Sequence, residues 1–378
     1  MKNIIIALVI LLLIPMGAFA QAGPVREPES ISAASAILIE TGSGRVLYEH
    51  NAHQERPIAS TTKIMTALVA TELCRPEEVL SVQADCVKIE GTSLYLDENE
   101  QLTMLDMLYG LILRSGNDAA AAIAKYVGGD ISHFVSLMNQ RAWKLGMYNT
   151  SFGNPHGLDN SQHYSTAHDM ALLGAAFLKI PLLRQICIAE EYISRELTSG
   201  RVRLFINNNK LLARDPRACG IKIGWTEKAG RCLVAAARAG EMELVAVVLA
   251  APDLYTDVSK LFDYGFSSLS IQELVPQGKV MAVLPVDQGE AQRVAVASAG
   301  PVRYPVFPGE TLSFTTQVQV PAKLRAPVQS GQPVGTALVR VDGGWTAEIE
   351  LVAVSAVEKK AGIATRLFEL VRGWWHDQ

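Results

Sequence analysis

A serine followed three positions later by a lysine, where a polar turn runs into an unbroken apolar segment, constrains this chain more than any other feature. The stretch is Pro57-Ile-Ala-Ser-Thr-Thr-Lys-Ile-Met-Thr-Ala-Leu-Val-Ala70. Its small and apolar residues predict the first turns of a buried helix. Residues three apart on a helix share a face, one turn along the axis, so the spacing sets the Lys63 amine over the Ser60 hydroxyl. A serine hydroxyl is a weak nucleophile near neutral pH until a neighbouring base accepts its proton. A lysine becomes that base when burial or another cation lowers its pKa, and Ile64, Met65 and Leu68 supply apolar surroundings. By itself, Ser60-x-x-Lys63 also fits an ordinary helix start with a solvated lysine.

Two later stretches answer it. Leu113-Arg-Ser-Gly-Asn-Asp118 places Ser115-x-Asn117 between two helical segments, and Cys219-Gly-Ile-Lys-Ile-Gly-Trp-Thr226 puts Lys222 and Gly224 on an expected strand. The three elements in this order are far more specific than any one of them.

At 378 residues the chain is long enough for two domains and a sizeable core. Its 49 % hydrophobic and 19 % charged residues fit a globular protein, and a net charge of -4 carries no footprint of nucleic-acid binding. Residues 1–20 have the form of a secretory signal: Lys2, an apolar run from Ile4 to Ile14, then Ala18-Phe19-Ala20 before Gln21. The run is short for a bilayer span, so cleavage after Ala20 and work outside the cytoplasmic membrane are expected, an uncleaved anchor being the other reading. The five cysteines (74, 86, 187, 219, 232) contain no Cys-x-x-Cys and no close Cys/His pair, so no metal site is expected, and no cofactor motif is found. Export permits a disulfide, for which Cys219 and Cys232 on neighbouring strands are candidates, but buried small residues are the expectation.

Taken in order, Ser35 to Glu49 alternates apolar residues about a Gly-Ser-Gly turn and predicts a hairpin. Leu102 to Tyr126 is helical with a corner at Ser115-Gly-Asn117, Ile131 to Leu145 is an amphipathic helix, and Tyr164-Ser-Thr-Ala-His-Asp169 caps a helix running through Leu178. Gly220–Thr226, Arg231–Ala239 and Glu243–Ala250 are expected strands, closed by a helix over Asp257–Phe266. Helices enclosed by antiparallel strands argue for an α+β domain. From about 268 to 356 the residues turn Val-, Pro- and Gly-rich with short alternating runs, predicting a small all-β domain that serves as spacer or docking module. From Glu358 to Gln378 a helix is expected with Ile363, Leu367, Phe368, Val371, Trp374 and Trp375 on one face, suited to a membrane interface or to packing on a partner.

With these residues in view the chain resembles the D-alanyl-D-alanine carboxypeptidases, the low-molecular-mass penicillin-binding proteins, from about Ser35 to the C-terminus. Besides the three motifs, the resemblance rests on Leu105 to Asp118, Asn154-Pro-His-Gly-Leu158 and Tyr164-Ser-Thr-Ala-His-Asp-Met170. It implies a serine β-lactamase/transpeptidase-like domain over 21–267, a β-rich domain over 268–356 and a membrane-associating helix over 357–378. It implies removal of the terminal D-alanine from peptidoglycan stem pentapeptides through an acyl-serine intermediate, with β-lactams as covalent inhibitors.

Carried over by position, Ser60 is the expected nucleophile, Lys63 its general base and Ser115 the relay to the leaving amine. Asn117, Lys222, Gly224, Trp225 and Thr226 form the expected substrate-binding set, and the N–H groups of Ser60 and Trp225 the oxyanion hole. The chain departs from the family at Ile223, where a threonine hydroxyl usually meets the substrate carboxylate. Thr226, three positions along the strand, is expected on the opposite face and so no direct replacement. Losing such a bond to a charged group costs roughly 1.5–3 kcal/mol, or one to two orders of magnitude in rate or affinity. Weakened turnover or altered substrate preference is therefore expected, with acylation at Ser60 retained. The rival readings are a catalytically weak peptidoglycan-binding scaffold and a class A-like β-lactamase. Ser-Gly-Asn in place of Ser-Asp-Asn and the lack of an evident Glu-x-x-x-Asn stretch speak against the second.

Overall fold

The computed structural model of the protein describes residue 28 and residues 30–360. The expected signal over 1–20 and nearly all of the expected C-terminal helix lie outside these residues. The described chain divides into two compact units between Leu269 and Ser270, two residues from the boundary expected at 267/268.

The first unit is mixed helix and sheet. Strand β1 (Ser35–Glu40) is buried along its whole length and turns back into β2 (Val46–His50). The Glu40 carboxylate closes this turn by accepting from the Gly42 and Ser43 N–H groups and the Ser43 hydroxyl. A 3-10 turn over Ala59–Thr62 then enters α1 (Lys63–Leu73), and its residues from Lys63 to Ala70 are all buried. A helix apolar on all sides belongs inside a core. The short pair β3 (Val79–Ser81) and β4 (Gln101–Thr103) leads to α2 (Met104–Tyr109), where Thr103 and Asp106 form a reciprocal capping box. A π-helical turn over Gly110–Arg114 breaks the helix before α3 (Asn117–Gly128), which is followed by α4 (Ile131–Lys144), begun by the Asp130 cap. Within the capped start expected over Tyr164–Asp169, Thr166 is the cap that opens α5 (Ala167–Leu178), and Pro181 opens α6 (Pro181–Ile188). A hairpin of β5 (Glu191–Arg195) and β6 (Val202–Ile206), one turn of helix α7 (Leu211–Arg214), strands β7 (Ala218–Thr226), β8 (Gly230–Ala239) and β9 (Met242–Leu249), and α8 (Leu254–Ser268) complete it.

The main sheet is antiparallel in the order β2-β1-β9-β8-β7. Neighbouring residues of β9 meet different helices. A Cβ added to Gly174 of α5 would lie 3.1 Å from Val245, and one added to Gly265 of α8 would lie 2.6 Å from Leu244. Successive strand residues point to opposite faces, so α5 and α8 cover the two sides. This is why β8 and β9 are nearly continuous in small and apolar residues instead of alternating. Strand β7 is left as an edge, and that edge carries the site.

The second unit is all-β. It comprises β10 (Ser270–Val275), β11 (Val280–Asp287), β12 (Arg293–Ser298), β13 (Val302–Val306), β14 (Phe314–Gln319), β15 (Leu324–Arg325), β16 (Pro333–Val341) and β17 (Thr346–Ala353). Six strands form a sheet in the order β14-β16-β17-β12-β11-β15, and β10 pairs with β13. Val275, Val302 and Tyr304 of the pair share a core with Val296, Val339 and Leu351 of the sheet. The alternation read from the sequence is the inside-outside pattern of this packing.

Candidate active site

The Ser60 turn and β7 approach each other more closely than side chains allow. A Cβ on Gly224 would sit 2.9 Å from the Ser60 nitrogen and 3.0 Å from that of Thr61. From the other side, a Cβ on Gly157 (φ +95°) would fall 2.0 Å from the Ala59 carbonyl oxygen. Ala59 itself holds φ +47°, an uncommon conformation for a residue with a side chain. Ser60 thus lies on a 3-10 turn clamped by two glycines, not in the first turn of a regular α-helix as the apolar pattern predicted. The reason is that the tertiary clamp overrides local helical preference. Lys63 is the first residue of α1, and the expected meeting of amine and hydroxyl is present.

The Lys63 Nζ lies 2.9 Å from Ser60 Oγ, 2.7 Å from Asn117 Oδ1 and 2.7 Å from the His156 carbonyl oxygen. Asn117 is oriented by its own Nδ2, which donates to the Glu90 carbonyl at 2.5 Å, so its oxygen faces the lysine. The side chain is fully buried, and burial, then the nearby Lys222 charge, holds its pKa well below the usual lysine value against a smaller opposing pull from Asp118. A neutral amine has two N–H donors and one lone pair. The two carbonyl oxygens can only accept, so they take both donors, and the lone pair is left for the Ser60 O–H. Burial, by favouring the neutral amine, therefore selects the arrangement in which lysine is the base and serine the donor.

The corner bearing Ser115 follows from the π-helical turn, which ends with Ser115 in the left-handed region at φ +65°. Asp118 anchors this corner: its buried carboxylate accepts from the Ser93 hydroxyl and from the N–H groups of Leu94 and Leu96. A Cβ on Gly116 would lie 2.6 Å from Leu94 Cγ and 2.7 Å from Asp118 Oδ1. The glycine of Ser-Gly-Asn is therefore required by the packing of the 93–96 loop.

On the far side of Lys63, His163 fastens the turn. Its Nδ1 accepts from the Gly153 N–H, so Nε2–H donates to Thr62 Oγ1, and Thr62 donates to the Ala59 carbonyl. Burial lowers the His163 pKa to about 4, and burial, then Lys63, lowers that of His156 to about 3. Both are neutral at pH 7 and supply geometry, not charge.

A cleft of about 550 Å³ opens over Ser60 and Ser115, lined by Ile223, Gly224 and Trp225 of β7 and by Asn208, Lys210 and Arg214. Lys63, Asn117 and Lys222 stand behind it, buried. Lys222 donates to the Ile223 carbonyl at 3.1 Å, and burial lowers its pKa to about 7. Trp225 is 66 % exposed on the lip, where an indole face is free to stack on a ligand.

This geometry can be compared with known proteins. Residues 22–253 match the family model of D-alanyl-D-alanine carboxypeptidase, and residues 270–359 that of the penicillin-binding protein 5 C-terminal domain. The chain belongs to the D-alanyl-D-alanine carboxypeptidase family. It is 31 % identical to D-alanyl-D-alanine carboxypeptidase DacF of Bacillus subtilis over 99 % of this chain and 98 % of the relative. It is 32 % identical to DacC of Escherichia coli, over 95 % and 92 % of the two chains. Among solved structures, penicillin-binding protein 5 from Haemophilus influenzae superposes with a TM-score of 0.67 at 27 % identity, covering 88 % of this chain and 100 % of that one. These relatives make the chain a serine-type DD-carboxypeptidase and do not favour the scaffold reading.

In this carboxypeptidase the structure brings Ser60, Lys63, Ser115, Asn117, Lys222, Gly224 and Trp225 together. Thr226 is not brought in. Its Oγ1 accepts from the Ala229 N–H in the turn to β8, and it does not line the cleft. Its assignment to the substrate-binding set is corrected accordingly: its hydroxyl is taken up by the turn into β8. The five cysteines are all free thiols, and Cys219 and Cys232 lie on adjacent strands without facing one another, since Cys232 is opposite Gly224. Sequence reasoning missed the His156 carbonyl, the Asp118 anchor and the cationic wall of Lys210 and Arg214. Only Asn154-Pro-His-Gly, quoted for its resemblance, pointed near the first.

Proposed function

We propose that Ser60 attacks the carbonyl carbon of the penultimate D-alanine of a peptidoglycan stem pentapeptide. Lys63 accepts the Ser60 proton, and Ser115 passes a proton to the departing amine, so that D-alanine leaves and an acyl-Ser60 ester remains. Water then attacks the ester, with Lys63 as base, and restores the Ser60 hydroxyl. The N–H groups of Ser60 and Trp225 stabilise the tetrahedral oxyanion, a contribution of about 2.7–4 kcal/mol per donor in such sites. Asn117 holds Lys63 and the donor peptide, Lys222 supplies positive charge near the substrate carboxylate, and Gly224 lets β7 reach the Ser60 nitrogen. The carrying observation is the Lys63 amine, buried and held by Ser60, Asn117 and His156 within 2.9 Å.

The same chemistry makes β-lactams covalent inhibitors, because attack on the lactam gives an acyl-serine whose leaving group stays tethered. The signal form of residues 1–20 and the amphipathic pattern of 357–378 support export, with the enzyme held by its C-terminal helix on the outer face of the cytoplasmic membrane. The chemistry is tested by intact mass after incubation with benzylpenicillin, with Ser60→Ala beside it. One adduct, absent in the variant, is expected. No adduct at high drug concentration overturns the assignment.

A further inference from the structure

Ile223 leaves β7 without the hydroxyl that would meet a carboxylate, yet the cleft beside it is rich in positive charge. Lys210, Arg214 and Arg231 line it against one carboxylate, Asp253. Arg231 is turned to the rim, donating to the Pro252 carbonyl at 3.3 Å. Arg214 is exposed, with its guanidinium carbon 4.5 Å from the centre of the Tyr255 ring. Among the described residues neither Lys210 nor Arg214 has an ion-pair partner. Stacking occupies the face of a guanidinium and leaves its N–H edge, which matches a carboxylate in a two-pronged fork. The ring also fixes the plane in advance, so little side-chain freedom is lost on binding. An excess of cations in a walled cleft draws in anions, and the anion every acyl-D-Ala-D-Ala donor brings is its terminal carboxylate.

We propose that Arg214, with Lys210 beside it, takes the terminal carboxylate of the donor in place of a hydroxyl at position 223. Arg214 thereby sets the enzyme's preference for free-acid peptides. This rests on the acyl-Ser60 reading above. It means that Ile223 moves carboxylate recognition from the strand to α7 and leaves it in force.

The test uses the full chain and two donors, diacetyl-L-Lys-D-Ala-D-Ala and the same peptide ending in an amide, and compares kcat/KM for release of D-alanine and D-alaninamide. The wild type is expected to prefer the acid by about 10–100-fold, the range for a hydrogen-bonded charged group. Arg214→Gln is expected to collapse that ratio towards unity, Lys210→Gln to lower it in part, and Arg214→Lys to keep an intermediate value. Damage to the fold lowers both rates together and leaves the ratio standing, so the ratio separates carboxylate reading from a structural role. An Arg214→Gln ratio equal to wild type overturns the proposal. A wild-type ratio near unity overturns it while leaving the Ser60 chemistry intact. If neither peptides nor benzylpenicillin acylate Ser60, both readings fall.

Discussion

Gly157 lies far from the reacting atoms in sequence, yet the packing makes Gly157→Ala a test of how the nucleophile is held. The residue has φ +95°, and an added Cβ would fall 2.0 Å from the Ala59 carbonyl oxygen, 2.4 Å from its carbon and 2.9 Å from the Ser60 nitrogen. Ordinary carbon–oxygen approaches begin near 3.3 Å, so the two backbones must part by roughly 1.3 Å. The left-handed conformation adds about 1–2 kcal/mol for a residue with a side chain. Parting moves Ser60, and it moves the adjacent His156 carbonyl that takes one Lys63 proton. Misplacing a positioned catalytic group by 1 Å costs about 100-fold in rate, equivalent to about 2.7 kcal/mol of barrier. The assay is the second-order rate of benzylpenicillin acylation, followed by intact mass, with a thermal melt alongside. Gly146→Ala is the control: it has φ +80°, but its Cβ would meet only Leu172, at 3.9 Å. It should lower the melting temperature by a few degrees and acylate as wild type. If Gly157→Ala acylates within threefold of wild type, the clamp on Ala59–Ser60 does not position the nucleophile.

Because Arg214 already takes the carboxylate, Ile223→Thr should change kcat/KM on free-acid donors by less than about threefold in the wild type but raise it by roughly 10–100-fold in Arg214→Gln, the worth of one hydrogen bond to a charged group; a full gain in the wild type would show that the carboxylate goes unheld there. Asn117→Asp places a carboxylate against Lys63 and favours its charged form. Because Lys63 acts only when neutral, activity is lost as pH falls through its lowered pKa, and the variant's acidic limb should move up by about 1–3 pH units in the kcat/KM profile. A limb that stays put would refute the role of Lys63 as base. His163, depressed from 6.5 to about 4, contributes stability that is fully present above pH 6.5 and is lost as pH falls through its folded pKa, since the unfolded chain takes up the proton first. The loss by pH 4 is about 3 kcal/mol, and urea titrations of wild type and His163→Gln should show this pH dependence reduced in the variant.

Much of this protein was decided by neighbours in sequence. The hairpin about Gly42-Ser43-Gly44, the cap at Thr166, the corner at Ser115-Gly-Asn117 and the alternation beyond Ser270 are local signals, because turns, caps and strand faces are set by residues within a few positions. The order of Ser60, Lys63, Ser115, Asn117 and Lys222 likewise named the chemistry before any fold was known. What the sequence could not supply was the state of those groups. Lys63 is a base because residues 54 and 93 positions away present acceptors to it and because burial and Lys222 depress its pKa. Spacing along a chain contains neither burial nor Coulomb distance. Gly224 and Gly157 were legible as glycines, but their necessity appears only when two backbones meet at Ser60. The tertiary structure likewise drew the Thr226 hydroxyl into the turn to β8 and gathered Lys210 and Arg214 into the cleft lined by Ile223. A cleft wall is assembled from segments whose separation in sequence carries no periodicity to read.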